Sequence, residues 1–307
     1  MKKRMIALLS VLCLTVGMFG ACGKTEDTNV DPGTEVTATI APSSEERGDG
    51  PATATPEPTA TTAPTATPEP TATPAPTATP IPVDPNDTGI WENNADISWI
   101  DPSKPMIAFT FDDGPVGTAD TATSIRIQNA LAAAGQHATF FYWGSSLNKA
   151  TEAEIKRAYE MGFEIGNHTK SHQDLSSLTA DKITAEVMNH AAKLTEITGL
   201  EHFLVRPPYL SANTTVKNTV REPLISCSID SKDWAGATAD QIINTINTQK
   251  KDGAIVLMHE TYTSTATAME TLIPQLVAEG WQIVSVSELF KAKGLELKDG
   301  QLYTNAR

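Results

Sequence analysis

Two copies of the unit ATPEPTAT, at Ala54–Thr61 and Ala66–Thr73, sit in a stretch from Lys24 to about Gly89 made almost entirely of Thr, Pro, Ala and acidic residues. Nothing in it can form a core. Proline at this density enforces extended polyproline-like backbone, and the repeats are too short and polar to stack as a solenoid. Pro51–Pro82 then reaches on the order of 100 Å at ~3.1 Å per residue, a length suited to a spacer across a cell wall. Folding is confined to residues 91–307, enough chain for one domain with a sizeable core.

The residues before the spacer predict export. Lys2, Lys3 and Arg4 precede the apolar run MIALLSVLCLTVGMFG, which stops at Ala21–Cys22. Small residues just before a cysteine resemble a lipoprotein processing site, with Cys22 as the lipidated first residue of the mature chain. The organisation expected is a signal over 1–22, a linker over 23–90 and a folded domain over 91–307. Residues 24–90 hold 2 basic and 11 acidic residues of a chain whose net charge is −14. Trp91 onward still carries about −8, so the domain has no general attraction for nucleic acid or anionic lipid, and its substrate is neutral or bound by local contacts. Of the three cysteines, Cys13 leaves with the signal and Cys22 takes the lipid. That leaves Cys227, in the apolar run LISCSI, as packed core without a disulfide partner.

From Trp91 on, short β-rich runs alternate with helical stretches. The strand candidates are MIAFTF, ATFFYW, FEIGN, HFLVRP, LISCSI, AIVLMH and WQIVSV. Helices are predicted near 120–134, 151–161, 179–198, 239–251 and 265–279. This alternation implies a mostly parallel α/β sheet, open or closed into a barrel, with chemistry at the carboxyl ends of its strands. Polar residues mark five of those ends: Asp112 and Asp113, His168, Arg206, Asp230 and His259.

Two adjacent carboxylates at the mouth of a buried strand are costly unless a proton or cation is shared between them. NHTKSH sets His168 and His172 four residues apart, so one helical turn would point both the same way. With Asp113 they make two imidazoles and a carboxylate, a set suited to a borderline divalent metal. His137, His190 and His202 have no such partners and read as structural or surface residues.

TFDDGP, HTKSH, RPPY at Arg206–Tyr209, DSKDW at Asp230–Trp234 and LMH at Leu257–His259 follow one another in this order between Lys104 and Phe290. In these motifs the chain resembles the NodB-like polysaccharide deacetylases, carbohydrate esterase family four. The resemblance implies a distorted (β/α) barrel of about seven parallel strands that removes acetyl groups from a carbohydrate polymer. It implies one divalent metal, zinc first, with cobalt, nickel or manganese as alternatives. By the same resemblance Asp112 is the general base and Asp113, His168 and His172 are the metal ligands. His259 protonates the leaving group, Asp233 orients its ring and Arg206 pairs with Asp112, keeping it ionised. The backbone N–H of Tyr209 stabilises the oxyanion, while Trp234 and Leu257 wall the acetyl pocket. Asp230 caps a strand end and stays outside this set. One departure from the family is Leu210, where glycine usually follows the tyrosine of RPPY.

Three functions remain to be weighed. The first is N-deacetylation of GlcNAc residues in peptidoglycan or a chitin-like glycan by a monomeric, membrane-anchored enzyme. The second is O-deacetylation of xylan with the same constellation. The third, a non-catalytic wall-binding module, is disfavoured because both Asp112 and His259 are present.

Overall fold

A computed structural model describes residues 91–307. The expected signal and linker, and Cys22, lie outside these residues. In chain order the elements are β1 (Met106–Asp112), α1 (Thr123–Ala133), β2 (Thr139–Tyr142), α2 (Lys149–Glu160), β3 (Glu164–Asn167), α3 (Ala180–Thr198), α4 (Thr214–Thr219), β4 (Leu224–Ile225) and β5 (Ile229–Asp230). They continue with α5 (Ala239–Gln249), β6 (Ala254–His259), α6 (Thr263–Ala278), β7 (Gln282–Val284), α7 (Val286–Ala292) and β8 (Leu302–Tyr303).

β1 is the centre of the sheet, and all of its residues are buried. One edge pairs with β6 from Ile107↔Ala254 to Asp112↔His259. The other edge is divided, with β7 on Met106–Ala108 and β2 on Thr110–Asp112. β3 follows β2, and the single bridges Asn167↔Val205 and Val205↔Leu224 lead on to β4 and β8. An antiparallel bridge, Ala254↔Asn305, returns the circuit to β6. All pairings between the named strands are parallel, so the result is an α/β barrel closed on one side only by isolated bridges.

The twofold repeat of a strand sorts β1 between two cores. Ile107, Phe109 and Phe111 pack outward with Ile127 and Leu131 of α1, Ile246 of α5 and Leu272 of α6. Met106 and Ala108 face inward with Phe141, Ile225, Ile255 and Val284. Thr110 and Asp112 share the parity of Met106 and Ala108, so the barrel interior is where the first aspartate points. The outer helices start where their caps predict. Asn148–Thr151, Thr238–Gln241 and Ser285–Glu288 form reciprocal capping boxes at α2, α5 and α7.

Several expected elements differ. HFLVRP forms no strand beyond the bridges of Val205, because Pro207 and Pro208 offer no N–H to a ladder. LISCSI breaks into β4 and β5 as its partners change. Ser226 N–H donates to Tyr303 O, whereas Ser228 N–H donates to Ile255 O. Cys227, at that switch, is half-buried rather than packed core. WQIVSV stops at Val284 because Ser285 caps α7. α4, α7 and β8 were not foreseen, and the described residues hold eight short strands rather than about seven.

Candidate active site

Four strands, β1, β3, β5 and β6, and the residue following the Val205 bridges carry the expected polar groups at their carboxyl ends. Asp112 is 2 % exposed and its Oδ1 accepts from Arg206 NH1 at 2.7 Å. Arg206 is fully buried and spends its other donors on Thr110 Oγ1, Ile225 O and Ser226 O, with its guanidinium 4.3 Å from the Phe141 ring centroid. The expected ion pair therefore forms. Burial still raises the Asp112 carboxyl above its usual range, since the opposing charges of Arg206 and His259 only partly offset it. Arg206 thus lowers the cost of ionisation without abolishing it, which leaves Asp112 a stronger base than a surface carboxylate.

Asp113 lies one residue past β1 in the left-handed region, with φ 67°. Its Oδ1 is 3.5 Å from His168 Nε2 and 3.4 Å from His172 Nε2. The expected helical turn between the histidines is absent. Residues 168–172 form a loop with positive φ at Thr169 (67°) and His172 (55°). Asn167 Oδ1 accepts from Thr169 N, and Glu186 of α3 accepts from both the N–H and the hydroxyl of Ser171. Those bonds bring the imidazoles together, with ring centroids 4.9 Å apart. Sequence reasoning missed Asn167 and Glu186, whose only signal was their nearness to NHTKSH in the chain and in α3.

The donor set suits a divalent cation. One ligand atom each from Asp113, His168 and His172 lies within 4.8 Å of the others. Asp113 Oδ1 is buried without a hydrogen-bond partner. His168 Nδ1 donates to Arg206 O at 2.7 Å, which leaves Nε2 as the lone-pair nitrogen, and burial keeps the ring neutral by lowering its pKa to about 3. An unpaired carboxylate oxygen facing two imidazole nitrogens is unfavourable unless a cation fills the gap.

On the opposite side, His259 ends β6 directly across from Asp112. Its Nδ1 is 2.8 Å from Asp233 Oδ1, and its N–H donates to Asp233 Oδ2 at 2.6 Å. Trp234 N and Thr265 Oγ1 supply one further donor to each oxygen of Asp233. Burial opposes a charge on His259, but the hydrogen bond of Asp233 and the charges of Asp112 and Asp233 outweigh it and raise the imidazole to about 8. The ring is therefore protonated at neutral pH, with Nδ1 engaged and Nε2 as the acidic edge.

Around these groups, Tyr209 is 71 % exposed and packs edge-on to His172 at 5.0 Å, while Trp234 is 52 % exposed and Leu257 is buried. Trp234 Nε1 lies 3.3 Å from Asp230 Oδ1, which also accepts from Lys232 N, so Asp230 does cap its strand end. Tyr262, missed in the sequence, packs edge-on to His259 at 5.8 Å. Leu210 has φ 55°, which is the physical reason glycine suits that position. The other histidines lie outside the constellation. His190 bonds Tyr142 O, His202 is exposed beside Glu222, and His137 bonds Glu288.

In sequence and fold the chain is similar to known proteins. The model of the polysaccharide deacetylase family matches residues 100–224. The chain is 32% identical over 194 residues to the peptidoglycan-N-acetylmuramic acid deacetylase PdaC of Bacillus subtilis, covering 63% of this chain and 40% of that one. It therefore spans well under two thirds of that relative. A peptidoglycan-N-acetylglucosamine deacetylase of Bacillus cereus is 31% identical over 206 residues, with 64% of this chain and 94% of the relative covered. Among solved structures, a family 4 acetyl xylan esterase from Clostridium thermocellum with a cobalt ion superposes with TM-score 0.60 at 29% identity, covering 65% of this chain and 98% of that one. Fold and near-complete coverage of the Bacillus cereus relative agree, and the chain belongs to the NodB-like polysaccharide deacetylase family, carbohydrate esterase family four.

Proposed function

We propose that the domain is a metal-dependent deacetylase acting on N-acetyl groups of GlcNAc residues in peptidoglycan or a chitin-like glycan. One observation carries the reading: a buried carboxylate, Asp112, and an imidazole held by Asp233, that of His259, end neighbouring strands beside the Asp113–His168–His172 cluster. Asp113, His168 and His172 would hold a divalent cation, zinc first, which when bound would supply Lewis acidity. Asp112 accepts a proton from the attacking water as the new C–O bond forms. The Tyr209 N–H donates to the developing oxyanion, and Leu257 and Trp234 border the acetyl methyl. His259 Nε2 then gives its proton to the departing nitrogen as the C–N bond breaks, leaving acetate and a free amine. Arg206 and Asp233 hold the base and the acid in place.

The amide is preferred over the acetylxylan ester because of His259. An amine cannot leave without protonation, and the network of Asp233 keeps an acid ready for that step. An alkoxide leaves more easily. The relatives include a deacetylase of peptidoglycan and an esterase of acetyl xylan, so the reading is decided by measuring acetate release from acetylated chitooligosaccharides, peptidoglycan and acetylxylan side by side. Faster release from acetylxylan than from both GlcNAc polymers overturns it.

The enzyme acts as a monomer at the outer face of a bacterial membrane. Residues 1–22 export it, Cys22 carries lipid, residues 23–90 span the wall and residues 91–307 do the chemistry. Cys22→Ser blocks lipid labelling and leaves the precursor unprocessed; wild type found wholly free in the medium without lipid sinks the anchor.

A further inference from the structure

Beneath the turn that follows β1 lie two carboxyl groups with no place in the chemistry above. Glu154 of α2 and Glu260, next to His259, are both fully buried. Glu154 Oε2 accepts from Val116 N at 2.9 Å and from Gly117 N. Glu260 N–H donates to Asp112 O at 3.2 Å, and its carboxyl turns under Gly114. A Cβ built on Gly114 would stand 1.2 Å from Glu260 Oε1 and 2.3 Å from Glu260 Cδ. The glycine of DDGP is thus explained by the carboxyl that occupies its side-chain space, since Gly114 itself does not have positive φ. From above, Gly114 O accepts from Trp143 N at 3.0 Å and from Ser146 Oγ at 3.2 Å. The turn carrying Asp113 is therefore clamped on both faces.

Both Glu260 oxygens and Glu154 Oε1 lack hydrogen-bond partners among the described residues. Such groups are expensive in a core and persist where the surrounding structure uses them. Burial, then the charges of Glu154, Asp113 and Asp112, raise the Glu260 carboxyl well above the usual range, in keeping with a neutral group packed against backbone. Asp113 has particular need of support, because its left-handed backbone is unfavourable for a residue with a side chain.

We propose that Glu154 and Glu260 are positioning residues that set the Asp113 carboxylate for cation binding, Glu154 by gripping the Val116 and Gly117 N–H groups and Glu260 by filling the space against Gly114. The proposal rests on the reading of Asp113 as a cation ligand. It therefore needs a test read in metal affinity, not in acetyl hydrolysis.

Co²⁺ titration of the full-length chain, followed by visible absorption and calorimetry, supplies that test. Glu154→Ala, Glu260→Ala and Gly114→Ala should each weaken Co²⁺ binding by about 10- to 100-fold, the usual effect of removing support behind a metal ligand. Glu260→Gln, which keeps the shape, should bind as wild type does. In the Glu260→Ala background, Gly114→Ala should cost much less, because the new methyl enters vacated space. Ile246→Val, far out in the α5 core, shows what lost stability alone does to affinity and should leave it unchanged. Wild-type affinity in both Glu154→Ala and Glu260→Ala, or single losses that simply multiply in the double variant, overturns the proposal. If Glu260→Ala does not fold, Glu154→Ala and Glu260→Gln still decide: retained affinity in the first, or loss in the second, is fatal. A wild type that binds no Co²⁺ overturns the cation reading and this inference together, whereas binding with unaffected variants removes only the inference.

Discussion

On the Asp113 side of the cleft, three side chains meet, two of them (Asp113 and His172) on left-handed backbone, and leave a buried carboxylate oxygen unpaired, whereas on the His259 side each oxygen of Asp233 receives two donors. The first arrangement is strained and incomplete without a cation; the second is complete as it stands. One half of the site holds affinity in reserve for a ligand, and the other uses protein hydrogen bonds to fix a protonation state.

Removing the cation should produce the largest loss. Chelation, or His168→Ala, is expected to abolish acetate release and empty the site, as read by metal analysis beside activity. Full metal occupancy in His172→Ala would break the comparison by showing that the cluster is not a three-residue unit. Asp112→Asn comes next: metal content stays, and hydrolysis slows by about 10² to 10⁴, the usual range for a general base. Equal metal loss in Asp112→Asn and Asp113→Asn would place both carboxylates on the cation.

The acid side should respond selectively. His259→Ala is expected to slow GlcNAc-polymer deacetylation by about 10² or more while sparing most hydrolysis of an aryl acetate, whose phenolate leaves without a proton. Equal loss on both substrates would reassign His259 to oxyanion stabilisation. The smallest effect belongs to Asp233→Asn. His259 works in its charged form, so wild-type amide hydrolysis should fall as pH rises through about 8. Removing the Asp233 charge lowers the imidazole pKa, which should move that alkaline limb to lower pH and slow the reaction at neutral pH by about tenfold or less. An unmoved limb would show that Asp233 does not set the acid.

The candidate site was legible in the sequence because carboxylates and imidazoles at strand ends have few structural uses, whereas the parity that Asp112 shares with inward-facing Met106 and Ala108 emerged only once β1 was placed between two cores. The supports were not legible. Glu186, Glu154 and Glu260 look like ordinary helix or strand-end acids until the fold buries them beside backbone N–H groups or a glycine. His168 and His172 were brought together as expected but by a different route, since neither left-handed Thr169 nor left-handed His172 announces itself through residue type. Single bridges left the same gap: Val205 closes the barrel with one residue where a full strand had been expected.

The divided edge of β1 bears on how such a chain comes to be active. β1 is made early, yet the Thr110 hydroxyl bonds Val256 O across 146 residues, and β6 and β7 both come from the last quarter of the polypeptide. A chain emerging N-terminus first holds β1 with only the short partner β2, on Thr110–Asp112, until synthesis is nearly done. Long-range parallel pairing of this kind is slow and exposes aggregation-prone edges in the meantime. Activity should therefore arrive all at once: a nascent chain ending before Ala254 lacks His259 and leaves the whole β6 edge of the strand that carries Asp112 unpaired, so a truncated form of this kind should release no acetate.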